Sequence, residues 1–294
     1  QQFPNKVASN GVRFFSPDHK SMDVDFAVPE NKFGGGFVAK RLDFDNFYFS
    51  EIISLPDVEV FQGQQVTEVA SSPDKILLKT ATSSFCARIA LGADGAHSVL
   101  NKRLTENKVE KNHYCAGLRQ YYSNVKGFHP RNHIELHFYK ELLPGYFWIF
   151  PLPGNNANVG LGMLSAEVSR KKINLKEKLN DLLKNHPNLK ERFRDATPLE
   201  NIQGYGVPLG SVKRSISGPR FLLLGDAAGL IDPFTGEGIA NAIRSGRVAA
   251  AHVLKCFEQR RFDAPFNLQY DKEIYYKMWT EFRFKHSIQK LFPH

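Results

Sequence analysis

Cysteine is scarce: Cys86, Cys115 and Cys256 are the only three in 294 residues. They are scattered and odd in number, with no C-x-x-C pair and no Cys/His metal spacing. That excludes a disulfide framework and a zinc ribbon, and points to reduced thiols in a cytoplasmic protein. Long apolar runs are missing too. None approaches the roughly eighteen residues a membrane-spanning helix needs. No G-x-G-x-x-G loop is present: Gly204-x-Gly206 runs into Pro208, and Gly236-x-Gly238 has Asn241 where a third glycine belongs. Internal repeats and low-complexity tracts are also absent.

What remains is the composition of a globular enzyme. Hydrophobic residues make up 42% of the chain, enough for a sizeable core in one or two domains. There are 24 Phe and 10 Tyr, which fit an aromatic core first and a pocket for a large apolar ligand second. The net charge of +9 is spread out. Its densest stretch, from Arg170 to Arg192, alternates cations with acids and with Ile173, Leu175, Leu179, Leu182 and Leu183. That is an amphipathic helix with a solvated charged face. Attraction to a membrane surface is the second reading. Nucleic acid is not an expected partner, because no recognition motif accompanies the charge.

Residues 221–246 carry the strongest pattern. Phe221, Leu222, Leu223 and Leu224 form a short buried strand ending in Gly225-Asp226. A turn through Gly229, Asp232-Pro233 and Gly236 follows. Ile239, Ala242, Ile243, Gly246, Ala249, Ala250 and Val253 then fall on one helical stripe. Such a unit aims a carboxylate at a ligand hydroxyl and a helix N-terminus at something electron-rich. A second strand, at residues 89–98, ends in Gly92-Ala93-Asp94-Gly95. In a third segment Tyr146, Trp148 and Phe150 alternate and so share one strand face. A turn at Pro153-Gly154-Asn155 and a returning Asn158-Val159-Gly160 complete it.

The remaining layout is coarse. Val12 to Phe15 and Met22 to Phe26 read as a hairpin, and Gly34-Gly35-Gly36 as a turn near the pocket. Asp43 is a candidate N-cap for a helix through Ser54. Short strands are expected at 58–61, 66–70, 76–80 and 85–93, strand-like pattern at 113–162, and helix at 166–193. His133 and His137 read as surface histidines, with proton donor or metal ligand as the alternatives.

The wording of 221–246 resembles the second FAD fingerprint of flavoprotein hydroxylases and, more closely, the geranylgeranyl reductase family. GADG..S at 92–98, Y.W.FP…NVG.G at 146–162 and GYGVPLG at 204–210 resemble further motifs of that family, in the same order. The resemblance implies an α/β (α+β mixed) fold: an incomplete two-dinucleotide-fold-like FAD-binding domain with an inserted antiparallel β-sheet substrate domain. The implied boundaries are 1–110 with 203–260 for FAD, 111–202 for substrate, and 261–294 for a C-terminal helical segment. It implies FAD held by Gly225, Asp226, Gly229, Pro233, Gly236, Glu237, Gly238 and Ile239, with Asp94 and Arg41. Tyr146, Trp148 and Phe150 would line a channel for a prenyl-chain lipid. The implied reaction is saturation of a prenyl C=C bond, and the electron donor stays open between NAD(P)H, ferredoxin and a quinol-linked source.

Bland readings stand beside several of these. Turn-making explains Asp94 almost as well, the helix dipole favours Glu237 without any ligand, and Arg41 fits a surface arginine equally. After GADGAHS this chain has Val99-Leu100-Asn101, where related flavoproteins carry an arginine. The missing G-x-G-x-x-G unit is expected to lie upstream of Gln1, and the 294-residue polypeptide alone is expected to bind FAD weakly. The alternatives are an FAD-dependent monooxygenase or halogenase and a non-catalytic flavoprotein fragment.

Overall fold

A computed structural model describes residues 3, 5–27 and 35–291. In chain order they form β1 (Lys6–Ser9), β2 (Gly11–Phe15), β3 (Ser21–Asp25), β4 (Gly36–Ala39), α1 (Arg41–Ile53), β5 (Glu68–Ser71), β6 (Ile76–Lys79), β7 (Ser84–Ala87), β8 (Ala90–Gly92) and α2 (Val99–Leu104). There follow β9 (Tyr114–Ser123), β10 (Ile134–His137), β11 (Gly145–Leu152), β12 (Asn156–Leu164), α3 (Ser165–Lys171), α4 (Leu175–Asn185), α5 (Pro187–Phe193) and β13 (Thr197–Pro198). The chain ends with β14 (Gln203–Pro208), β15 (Ser217–Gly218), β16 (Phe221–Leu223), α6 (Ile239–Gln259) and α7 (Ala264–Leu291).

Two compact units emerge, each discontinuous in sequence: Gln1–Val60 with Ala116–Tyr205, and Phe61–Cys115 with Gly206–His294. This differs from the expected 1–110 boundary. The first hairpin joins the substrate-type sheet, because β2 pairs in parallel with β10 and antiparallel with β3.

The first unit is built on a mixed sheet in the order β13-β9-β12-β11-β10-β2-β3, with β14 paired to β9. One face is buried. Phe147, Ile149, Val159, Leu161 and Met163 pack there against Leu175, Leu179, Leu182, Leu183, Leu189 and Phe193. The helices do this because α4 keeps its leucines on one side while its lysines and acids stay outside. The single helix expected over 166–193 is three. Lys172 takes a left-handed conformation, the Asn174 side chain caps α4, and Pro187 opens α5. Helix α1 begins at Arg41, two residues before the expected cap, so Asp43 sits in its first turn. Of the glycine triplet, Gly34 lies outside the described residues.

In the second unit β16 pairs in parallel with β8 and antiparallel with β15. Residues 58–61 are not a strand, and 85–93 is two, β7 and β8. A separate meander, β5-β6-β7, lies beside this sheet in sequence. The core runs through Leu222, Leu223, Ile216, Ala249, Tyr270, Ile274, Met278 and Phe282, so α7 is part of this unit. Helix α6 is rotated from its expected phase. It buries Asn241, Ser245, Val248, Ala249, His252 and Cys256, whereas Ile239 and Ile243 are exposed. Polar side chains take the inner positions because each finds a partner there: Ser245 accepts from the Gly225 amide, Asn241 donates to the Leu230 carbonyl, and His252 meets Asn267.

Candidate functional site

The two acid-ended strands lie side by side. Leu91 is in register with Leu222, and Gly92 with Leu223. Asp94 and Asp226 therefore follow the carboxyl ends of neighbouring parallel strands, where ligands of open α/β sheets bind. After β16 the chain makes a 3₁₀ turn over Gly225–Ala228. Gly225 is required twice over: its φ is +52°, and a Cβ would come within 2.9 Å of the Ala242 methyl on α6. The turn is tied down by Ser245 Oγ, which accepts from Gly225 N at 3.0 Å, and by Asn101 Nδ2, which donates to the Ala227 carbonyl at 3.0 Å. Asn101, in the stretch where related flavoproteins carry an arginine, thus ties down this loop.

Asp226 is half-buried, and its Oδ1 lies 3.0 Å from where a Cβ on Gly238 would sit. The strand-end acid and the N-cap of α6 are in contact as a result. Gly238 brings no side-chain oxygen to cap the helix. Between them the loop is pinned by Asp232, which is 4% exposed. Its Oδ1 accepts from the amides of Phe234 and Thr235, both at 2.9 Å, and its Oδ2 pairs with Lys285 of α7. Pro233 is buried inside this turn, Gly236 has φ +70°, and Gly229 has φ +65°. Gly225, Asp226, Gly229, Pro233, Gly236, Glu237, Gly238 and Ile239 therefore lie along one continuous turn leading into α6.

Within it, Glu237 serves the helix: its carboxylate accepts from the Ala240 amide at 2.8 Å. Asp94 does the same for α2, accepting from Val99 N at 2.7 Å while Ser98 caps Asn101. Tyr114, which the sequence did not single out, feels the charge of Asp226. Burial and then the charge of Asp226 raise its pKa. Its ring also occupies the space where a Cβ on Gly206 would stand, which accounts for a glycine of the GYGVPLG segment.

Arg41, in the first unit, is ion-paired with Asp45 one turn on at 3.1 Å, and its backbone amide donates to the Tyr121 hydroxyl at 3.2 Å. The three substrate-side aromatics stand in a row on β11. Tyr146 and Trp148 have ring centroids 5.9 Å apart, Trp148 and Phe150 6.1 Å. All three are half-buried, on the sheet face opposite the helices. The glycines of NVG.G face them, with Gly162 opposite Tyr146 and Gly160 opposite Trp148. A side chain at Gly160 would collide with the indole, which instead donates to Asn158 Oδ1 at 3.2 Å.

His133 and His137 are not surface residues; they are 2% and 3% exposed. His137 stacks on Phe15 with centroids 4.1 Å apart and meets Glu135 at 3.1 Å. Arg192 grips the same carboxylate at 2.7 and 2.9 Å. Burial lowers the His137 pKa against the pull of Glu135. Asp23, His129 and His133 offer ligand atoms within 4.8 Å of one another. The two imidazoles, however, are stacked 3.8 Å apart, so their lone pairs run side by side rather than converging on an ion. Asp23 is also already held by both arms of Arg13. All three cysteines are free thiols, with burial pushing Cys115 up to about 12.

Among the described residues no helix is long and apolar enough to cross a membrane. A model of the geranylgeranyl reductase catalytic domain matches residues 114–205. Digeranylgeranylglycerophospholipid reductase of Methanococcus vannielii is 32% identical over 209 residues, which are 69% of this chain and 51% of that protein. The chain thus spans about half the length of that relative. A geranylgeranyl bacteriochlorophyll reductase-like protein from Thermoplasma acidophilum has the same fold, with a TM-score of 0.82 at 24% identity over 96% of this chain and 70% of its own. Halogenase PltM, solved with FAD, follows with a TM-score of 0.72 at 19% identity, covering 92% of this chain and 57% of its own.

Proposed function

We propose that the protein is a geranylgeranyl reductase-type enzyme, supported by the family segment at 114–205 and the 32% identical relative, and that it saturates prenyl C=C bonds of an isoprenoid lipid with FAD as its redox cofactor. The observation that carries this is the pairing of a strand-end acid with a glycine at the helix start, Asp226 against Gly238. The fit to a flavin cofactor is chemical. Asp226 offers a carboxylate to a polyol hydroxyl, Gly238 leaves room for close backbone approach, and the positive end of α6 favours a ligand that gains negative charge. When bound, reduced FAD supplies the hydride.

The chain's own residues position and shield. Tyr146, Trp148 and Phe150 offer an apolar, aromatic wall to a hydrocarbon chain, and Gly160 and Gly162 keep it flat. Gly225, Asn101, Ser245 and Asp232 hold the turn into α6 rigid. NAD(P)H or ferredoxin supplies the electrons, and Asn101 in place of an arginine removes one residue that would favour a nicotinamide phosphate. A prenyl lipid as substrate places the protein at the cytoplasmic surface of a membrane as a peripheral partner. Its free thiols and positive charge suit that setting. The halogenase-like alternative has the shared fold in its favour; the family segment at 114–205 favours the reductase.

The test is anaerobic. Flavin-loaded protein is reduced chemically, and a geranylgeranyl lipid is added without oxygen. The expected result is return of the oxidised flavin spectrum at a rate that depends on the lipid. A reduced flavin that ignores the lipid and reoxidises only with oxygen would sink the proposal.

A further inference from the structure

We infer that the edge hairpin β2–β3 extends the prenyl-binding face beyond the aromatics of β11 and sets the chain length the protein accepts; this rests on the prenyl-reductase function proposed above. The register fixes which residues share that face. Trp148 is opposite Leu136, Leu136 is beside Phe14, and Phe14 is opposite Met22. Val12 and Val24 are likewise paired one step along the hairpin. Ring contacts follow the same line, with Phe138 6.0 Å from Tyr146 and 6.4 Å from Phe14.

The two sides of the hairpin differ in kind. Arg13, Asp23 and Asp25 all point to the other face, where they pair with one another, with Arg131 and with the two stacked histidines. The β11 side carries Val12, Phe14, Met22 and Val24, without a charge. Met22 is 61% exposed and Val24 43%. Edge strands ordinarily protect themselves with outward charge. Here the charge is confined to one face, and on the other Met22 and Val24 are left open, in register through Phe14 and Leu136 with the proposed substrate wall. A hydrocarbon is the ligand such an uncharged row of side chains accommodates.

Its width suits a particular length. Neighbouring strands are about 4.8 Å apart, so the four steps from β12 through β11, β10 and β2 to β3 span about 19 Å. An isoprene repeat is about as long as one such step. A four-isoprene chain laid across the strands from Gly160 and Gly162 ends at Met22 and Val24. A two-isoprene chain stays on β11 and β10 and never reaches the hairpin.

The test uses the flavin-loaded protein and three plain probes: geraniol, farnesol and geranylgeraniol, with two, three and four isoprene units. Binding is followed through Trp148 fluorescence in a Trp279→Phe background. Affinity should rise with each added unit. Met22→Glu, at an exposed position that does not threaten folding, should weaken geranylgeraniol binding about tenfold, the order expected for one lost apolar contact, and leave geraniol unchanged. Phe14→Ala should weaken farnesol and geranylgeraniol but not geraniol. Equal effects on all three probes, or none, would overturn the hairpin's role while leaving the reductase function intact. So would a Met22→Glu variant that changes only the oligomeric state, which would assign the row to a second copy of the chain. Failure of the wild type to bind any of the three alcohols would overturn the function and this inference together.

Discussion

Asp226 is the residue on which the proposed cofactor binding turns. It is held where the backbone leaves β16; α6 leaves no room for a Cβ on Gly225, and a Cβ on Gly238 would press on the Asp226 carboxylate. Asp226→Ala should therefore weaken FAD binding by about 1.5–3 kcal/mol, the scale of a hydrogen bond to a charged group. A fluorescence titration of free flavin checks this, and an unchanged dissociation constant would remove Asp226 from the site. The acid and its glycines were legible in the sequence because their order along the chain is their order in space. Tyr114, Asn101 and the Glu135–His137–Arg192 cluster were not. Tyr114 acquires its setting from Asp226 and Gly206, roughly a hundred residues on, and Glu135 is matched by an arginine from α5. Asp94 and Glu237 illustrate the converse. Their positions were read from sequence, and the structure adds a helix start for each carboxylate to cap.

At the scale of elements, periodicity found what was there but not always which way it faced. The alternation of Tyr146, Trp148 and Phe150 did give a strand with three aromatics on one face, since side chains in a strand have no other choice. Helix α6 was placed correctly and phased wrongly. Ala, Gly and Ile residues lie all round it, and the buried side is decided by hydrogen bonds from Asn241, Ser245 and His252 that no hydropathy pattern records. This phasing is testable. Ser245 is fully buried, and its hydroxyl is the partner of the Gly225 amide. Ser245→Ala leaves that amide unpaired and should lower stability by about 1–3 kcal/mol in chemical denaturation, with a looser turn and weaker flavin binding. A variant as stable as the parent, with the same flavin affinity, would show that Ser245 does not anchor the turn.

At the scale of the molecule, each unit is closed by segments far apart in the chain. A linker search could not find such boundaries, because no composition shift marks where β2 and β3 join a sheet whose other strands begin a hundred residues later. The fold class was legible because four motifs occur in a fixed order, and they fall on the strands and turns that build the two units. The turn proposed to hold flavin and the aromatic row each lie within one unit, one offering a strand-end acid and a helix start, the other an uncharged sheet face. The proposal of a flavoprotein that adds hydrogen to an isoprenoid chain rests on both. Product mass tests that most directly. With the flavin reduced and oxygen excluded, mass spectrometry of a geranylgeranyl lipid should show the gain of two hydrogens for each double bond reduced, and no other change. An unchanged lipid, or one that gains oxygen or halogen when these are supplied, would contradict it.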